Sequence, residues 1–395
     1  MKKKIALVVQ RYGLEVNGGS EYSCRLFAEQ LKKKYDVDIL TTKAIDYVTW
    51  DNHYSSDVEE INGVTVRRFG TDESRNIKSF NKQSEFVYYN GDKTVYDELE
   101  WMRLQGPVSF SLLRYINLNR EEYEAFIFFT YTYFTTYFGL QLVPEKSILI
   151  PTAHDEPPIY LSIYTSLFHL PRYLFYLTVE EMEFVQNKFE NQYIPSGVLG
   201  IGIDSHNFNS LLPLDKLFDT YNISSAYIVY VGRIDESKGC KEMFEYFIKY
   251  KKEKKSELKL VLVGKAVMDI PNHEDIINLG FVSDSEKFSI MKNAEVLVMP
   301  SKYESLSMVV LEAFYLNRPI LVNAHSEVLK GHCIRSNGGL YYEAYDEFVQ
   351  CLNLLLNRDF QSKLGHNGHE YVEREYIWET VMKKLNTAIE NIGAS

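Results

Sequence analysis

Tyr227-Ile228-Val229-Tyr230-Val231-Gly232-Arg233-Ile234-Asp235-Glu236-Ser237-Lys238-Gly239 is the stretch that decides the fold. A short apolar run ends at a glycine, and a charged loop then leads into a helical segment near Lys241–Tyr250. Beyond that helix a second apolar run, Lys259–Val263, repeats the pattern, and Ile276–Leu279, Val296–Met299 and Pro319–Val322 continue it. The first half has the same alternation. Ile5–Gln10, Val37–Thr41, Val64–Arg68, Phe126–Phe129, Ser147–Ile150 and Tyr173–Leu177 read as strands, and Ser20–Lys34 as a helix. Thr178-Val179-Glu180-Glu181 has the form of a capping box opening another helix. Short buried strands separated by helices imply a parallel sheet covered on both faces. The restart at Tyr227 implies two such sheets in succession, an α/β chain of two doubly wound domains. Pro195-Ser196-Gly197 and Gly200-Ile201-Gly202 supply turn residues for a linker, so the boundary is expected near Pro195–Asp204. Ligands of such folds sit beyond the carboxyl ends of the strands, and a cleft between facing sheets is the expected site.

The 395 residues agree with this count, since domains of roughly 150 residues give two or three. A composition 45% hydrophobic and 25% charged excludes a disordered or collagenous chain. The formal charge of −11 argues against a nucleic-acid partner, which needs a basic face for phosphates. Cys24, Cys240, Cys333 and Cys351 are widely spaced, which speaks against a disulfide framework and for a reducing cytoplasm. Met1-Lys2-Lys3-Lys4 has the charge of a signal peptide, but the apolar run after it ends within five residues. Ala125 to Pro144 is uncharged and long enough to span a membrane, yet its threonines, Gln141 and Gly139 fit strand, turn and short helix better. Aromatic residues make up 14% of the chain, concentrated around Tyr88-Tyr89, Tyr96, Trp101, Tyr123 and Phe126 to Phe138. Most of them are expected in the core, although exposed aromatic faces can also stack on sugar rings.

Four loops follow the strands. Asn17-Gly18-Gly19-Ser20-Glu21 opens a helix, where paired glycines admit a ligand to the backbone and free N–H groups suit an anion. The alternative is a plain glycine turn. Gly232 to Gly239 puts Arg233 and Lys238 in one loop, able to hold a diphosphate and stabilise it as it departs. The alternative is a solvated loop with an Asp235–Lys238 pair, worth little. Pro300 to Ala313 places Glu304 in a loop and Glu312 in the following helix, eight residues on. The same-face neighbours of Glu312 are Met308, Val309, Tyr315 and Leu316, so its carboxylate is costly unless something bonds it. Ribose hydroxyls are suitable donors; a water or an arginine is the alternative. Pro151 to Pro158 places His154 with Asp155 and Glu156 at a strand end. Together these loops describe a cleft for a sugar diphosphate.

Gly18-Gly19, Gly232-Arg233 with Lys238-Gly239, and Glu304 with Glu312 resemble the retaining glycosyltransferases of the GT-B fold, family 4. The resemblance spans most of the chain, is strong in the second domain and is weak between about Lys43 and Tyr123. It implies two Rossmann-like domains facing across a cleft. Residues 1–198 would bind the acceptor, residues 199–376 the donor, and a final helix within 377–395 would return to the first domain. It further implies metal-independent transfer from a nucleotide-diphosphate sugar, UDP before GDP, to a glycan, glycolipid or other hydroxyl acceptor in cell-surface polysaccharide or glycoconjugate synthesis. No cofactor and no metal is expected. By position, Glu312 would bond the ribose and Glu304 the transferred sugar, with His154 beside it. Arg233, Lys238 and the Gly18-Gly19 backbone would hold the diphosphate. Leu306, Ser307 and Met308 would line the sugar pocket, and Val282 would lie in the loop over the base. Ser307 stands where the family commonly has glycine. A same-fold epimerase or phosphorylase, and a non-catalytic nucleotide-sugar-binding subunit, are the competing readings.

Other motifs carry less. Asp36-Val37-Asp38 spells a metal motif of a different transferase fold but opens a strand, and His366 with His369 has no third ligand in view for zinc. Lys249 to Lys255 reads as a solvated helix end. With Lys2–Lys4 it is also the candidate for peripheral contact at the inner face of a membrane.

Overall fold

The computed structural model describes residues 2–16, 18–204, 208, 211–212, 221, 223 and 226–393. It divides into two compact units, Met1–Leu199 with Met382–Ser395, and Gly200–Val381. In the first unit, strands β1 (Lys4–Val8), β2 (Asp36–Thr42), β3 (Val58–Ile61), β4 (Val64–Phe69), β5 (Ala125–Phe129), β6 (Ser147–Ile150), β7 (Tyr173–Tyr176) and β8 (Ser196–Val198) form one sheet. Its order is β3-β4-β2-β1-β5-β6-β7-β8, parallel except for β3 against β4. The middle strands are buried on both faces: Ala6 pairs with Asp38 on one side and Phe126 on the other, and every residue of β5 is buried. Next to the edge strand β3, β4 alternates buried and half-buried residues, as a strand open on one face must.

The second sheet, in the order β11-β10-β9-β12-β13-β14, is parallel throughout. It is built from β9 (Tyr227–Val231), β10 (Lys259–Val263), β11 (Ile276–Asn278), β12 (Val296–Met299), β13 (Ile320–Asn323) and β14 (Gly339–Tyr342). Both parallel sheets answer the expectation of two Rossmann-like layers. Gly200 and Gly202 are small because aromatic rings lie against them. A Cβ on Gly202 would fall 2.2 Å from the Trp378 ring, and one on Gly200 2.4 Å from Tyr376.

Three strands escaped the sequence reading: β3, rich in glutamate; β8, whose Ser-Gly looked like linker; and β14, at the far edge. Ala125 to Pro144 resolves into β5, the helix Phe134–Leu140 and a 3-10 turn at Pro144–Lys146. Among the described residues no helix is long and apolar enough to cross a membrane. The final helix, Trp378–Gly393, buries Val381, Leu385, Ala388, Ile389 and Ile392, one stripe at helical spacing. From Met382 onward it belongs to the first unit, where Glu390 pairs with Lys34.

The aromatic excess is mainly core. Trp101, Tyr123, Phe126, Phe128 and Tyr131 are buried in one cluster of the first unit, each contributing about 1.5–3 kcal/mol of burial. Tyr89 and Tyr96, 80% and 79% exposed, are among those that are not. The expected capping box at Thr178 is only half formed. Thr178 accepts from the Glu181 N–H, but the Glu181 carboxylate turns elsewhere, to the N–H groups of Ala153 and Leu177.

Candidate functional site

In the second unit the loops after β9, β10 and β12 meet through glycine. Gly264 (φ 138°) leaves no room for a side chain, since a Cβ there would lie 2.0 Å from the Gly232 carbonyl oxygen. Gly239 (φ 75°) would place one 2.3 Å from the carbonyl of Pro300. The close approach brings Lys238 to Glu304, Nζ to Oε1 2.8 Å. Arg233 is exposed and its Nε lies 3.0 Å from Asp235 Oδ2. Asp235 also accepts from the Ser237 N–H. The Asp235–Lys238 pair weighed as the bland alternative therefore does not form: Asp235 holds Arg233, and Lys238 holds Glu304.

Glu312 lies one turn into the helix Met308–Tyr315. Its Oε1 receives Lys287 Nζ at 3.1 Å, while its Oε2 is buried with no hydrogen-bond partner. Burial raises its pKa above the ordinary carboxylate value, and Lys287 opposes the shift. Lys287 was missing from the sequence reading; it sits on the separate helix Asp284–Asn293, and only the demand of Glu312 for a donor hinted at it.

Ser307, at the N-cap of the same helix, has φ 62°, the left-handed region that favours glycine. Its neighbour Leu306 is buried, and the Leu306 carbonyl accepts from Nε2–H of His332 at 2.9 Å. Because a carbonyl only accepts, Nε2 carries the proton, and Nδ1 receives the Tyr371 hydroxyl at 3.2 Å. Burial, with Arg335 adding to it, lowers the His332 pKa to about 4 and keeps the ring neutral. Met308 is half-buried at the helix start. Val282 is half-buried in the loop after β11, next to Phe281, whose ring is 89% exposed. That loop is fixed to the loop after β10 by Gly264 N–H donating to the Gly280 carbonyl at 2.7 Å. The second-unit candidates thus stand on loops at the carboxyl ends of adjacent strands, or, for Met308 and Glu312, on the helix that follows one of them.

In the first unit, Gly18 caps the helix Gly19–Leu31, and Asn17 lies outside the described residues. A Cβ on Gly18 would strike the Glu21 carboxylate at 2.0 Å, whereas one on Gly19 would point into open space. Glu21 is buried and accepts from Arg11 Nε at 2.9 Å. Gly18 is therefore needed to seat Glu21, and Gly19 alone leaves room for a ligand. Arg11 is a second residue the motif reading missed, since it lies ahead of the glycine pair.

His154 is exposed, in the loop after β6. Thr152 before it has φ 52°, and the Ala153 N–H donates to Glu181 Oε1 at 2.6 Å. Glu181 Oε2 accepts from Leu177 N–H at 2.7 Å, so one buried carboxylate ties the loop after β6 to the end of β7. Burial raises the Glu181 pKa to about 7, against these two N–H groups. Asp155 and Glu156 accept from the hydroxyls of Tyr160 and Tyr131, at 2.7 and 3.0 Å.

Among the described residues no three acidic, histidine or cysteine groups are placed to hold a metal ion. Asp38 is a strand residue enclosed by Tyr123, Arg67 and Lys4, which hold its carboxyl below the usual range against the upward push of burial. His366 and His369 pair with Glu370 and Glu373 on their own helix.

Comparison with known proteins gives three findings. Residues 218–371 match the sequence model of the family described as glycosyl transferases group 1. An uncharacterized glycosyltransferase of Methanocaldococcus jannaschii is 25% identical over 170 residues, 40% of this chain and 43% of that protein, so the match spans less than half of the relative. Among solved structures, sucrose-phosphate synthase from Thermosynechococcus elongatus superposes with a TM-score of 0.67 at 16% identity, covering 100% of both chains. Anabaena HepE in complex with UDP superposes with a TM-score of 0.69 at 11% identity, covering 98% of this chain and 100% of that one. At such identities the likeness is one of fold.

Proposed function

We propose that the chain, a GT-B fold whose residues 218–371 match the group 1 glycosyltransferase model, is a retaining, metal-independent glycosyltransferase of family 4. It moves a sugar from a nucleotide-diphosphate sugar, UDP before GDP, to a glycan, lipid-linked or other hydroxyl acceptor in the cytoplasm. The observation that carries the reading is Glu312, a buried carboxylate with one oxygen unpartnered. Such an oxygen costs free energy until a donor reaches it, and vicinal ribose hydroxyls supply one.

In this reading residues 199–376 hold the donor and residues 1–198 with the final helix hold the acceptor. Arg233 and Lys238 neutralise the diphosphate as the glycosidic bond breaks. Lys238 then exchanges part of its bond to Glu304 for phosphate oxygen, which frees Glu304 to accept hydroxyls of the transferred sugar. Leu306, Ser307 and Met308 line the sugar pocket, Val282 lies over the base, and Gly19 with His154 serves from the first unit. With no side chain assigned as nucleophile, the acceptor oxygen attacks on the face from which the diphosphate leaves, and electrostatic support of that leaving group dominates the rate enhancement. The test is to supply UDP-glucose and GDP-mannose with and without candidate acceptors. Nucleotide release that rises with acceptor, and a product keeping the donor's anomeric configuration by NMR, support the reading; release indifferent to every acceptor, or an inverted product, opposes it.

A further inference from the structure

The loop after β4 carries Arg75, one residue ahead of Asn76, the N-cap of the helix Ile77–Tyr89. Its backbone N–H donates to the Thr49 carbonyl at 2.5 Å. Its Nη1 donates to the Tyr47 carbonyl at 2.8 Å and its Nη2 to Gln105 Oε1 at 2.7 Å, while the guanidinium lies 3.9 Å from the Phe80 ring centre. Nε is buried without an acceptor.

Four other arginines of this unit hold a carboxylate: Arg11 has Glu21, Arg67 has Asp38, Arg68 has Glu59, and Arg103 has Glu100, whereas Arg25 donates to the Gly13 carbonyl and lies over the Tyr22 ring. Arg75 has none within ion-pair distance among the described residues. Burial lowers its pKa, and only the phenols of Tyr133, Tyr88 and Tyr47 act against that. A half-buried cation gripped by neutral groups is an unpaid desolvation cost that an anion would relieve.

Its position tells what that anion belongs to. The Tyr133 phenol, pushed by burial to about 12, is acted on by Arg75 and also by Glu21, Arg11 and Glu156. Those three stand beside the Gly18-Gly19 and His154 loops. Tyr133 packs edge-on against Trp50 at 5.7 Å, and Trp50 Nε1 donates to the Gln105 carbonyl at 2.7 Å. Tyr47, 58% exposed, borders the same cluster. Loops after β1, β2, β4 and β5 thus gather two cations at the carboxyl end of the first sheet, Arg11, which is paired with Glu21 and lies 5.3 Å from the ring centre of the exposed Tyr47, and Arg75, which has no carboxylate.

We propose that Arg75 is an oxyanion subsite of the first unit, taking one phosphate or carboxylate borne by the acceptor sugar while the ring lies along Tyr47. Naming the ligand as acceptor rests on the transferase reading; the anion site itself does not. A single oxyanion on an otherwise neutral sugar also suits a chain of net charge −11.

The experiment is a side-chain NMR titration of the full chain carrying nitrogen-15 arginine, with methyl phosphate and acetate as probes and sodium chloride as the ionic-strength control. Arg75→Lys and Arg75→Gln assign the Arg75 signals, the lysine variant keeping the charge if the glutamine variant folds poorly. The subsite predicts a saturable shift of the Arg75 signals with methyl phosphate, acetate or both, which separates a phosphate from a carboxylate source. In Arg75→Lys, which lacks the unpartnered Nε–H, binding of the same probe followed by calorimetry weakens by about tenfold. Arg75 signals that move no more with either anion than with chloride overturn the proposal. UDP and GDP added to the same samples read the donor site separately: an Arg75 response without binding of either nucleotide keeps the subsite and removes the transferase reading, and nucleotide binding without an Arg75 response removes the subsite and keeps the transferase reading.

Discussion

His332 is assigned the task of holding the Leu306 carbonyl, and the assignment has a measurable pH signature. Its pKa falls from the ordinary 6.5 to about 4 on folding. Between those values the unfolded chain binds the proton and the folded chain does not, so stability present at neutral pH is lost as pH falls. By linkage the loss is on the order of 1 kcal/mol at pH 5.5 and roughly 3 kcal/mol at pH 4. His332→Gln retains a donor for Leu306 and removes the titrating group; His332→Leu also removes the donor and strands a buried carbonyl, at a further cost of about 1–3 kcal/mol. The assay is urea unfolding of the wild type and both variants at pH 7.5 and pH 5.5. The wild type should lose on the order of 1 kcal/mol more than His332→Gln over that interval, and His332→Leu should be the least stable at pH 7.5. Equal pH dependence in the wild type and His332→Gln would refute a neutral, buried imidazole, and with it the fixed Nε2–H that holds Leu306.

The opposite sign is expected at Glu181, whose pKa rises from 4.5 to about 7. Its contribution is fully present below pH 4.5 and lost as pH rises through 7, so Glu181→Gln should remove about 2–3 kcal/mol of the wild type's loss between pH 5 and pH 8, read by the same unfolding assay. Ser307→Gly should raise the unfolding free energy by up to about 1 kcal/mol, relief of the left-handed backbone outweighing glycine's entropy; a drop in melting temperature would contradict the strain. Arg233→Ala and Lys238→Ala should each lower turnover by about ten- to a thousand-fold with folding intact, checked by steady-state kinetics beside circular dichroism.

The strands legible in the sequence are those with strong local patterns. β5 and β9 are runs of apolar residues, which mark strands covered on both faces. β3 and β8 were not legible, because an edge strand is made by a neighbour's free backbone groups and not by its own composition. Val58-Glu59-Glu60-Ile61 pairs only with β4, and Ser196-Gly197-Val198 only with β7.

The site shows the same division. Glu304, Glu312, Arg233 and Lys238 stand out because their spacing falls at strand-to-helix junctions, where chemistry is placed. Their partners do not. Lys287 comes from a different helix, Glu181 reaches back to Ala153 across 28 positions, and His332 reaches Leu306 across 26. Thr178 to Glu181 shows how a local motif misleads. The sequence has the form of a capping box, but two buried N–H groups compete for the Glu181 carboxylate and win it.

Calorimetric titration of UDP-glucose into the wild type and Glu312→Gln, paired with their unfolding free energies, tests the central claim most directly. If the unpartnered Glu312 oxygen is held ready for the donor ribose, Glu312→Gln still accepts from Lys287 and is as stable as the wild type or more so. Its affinity for the nucleotide sugar falls by tenfold or more, about the value of a hydrogen bond to a charged group. A variant that loses stability while binding as tightly as the wild type would make Glu312 a structural residue and contradict the account.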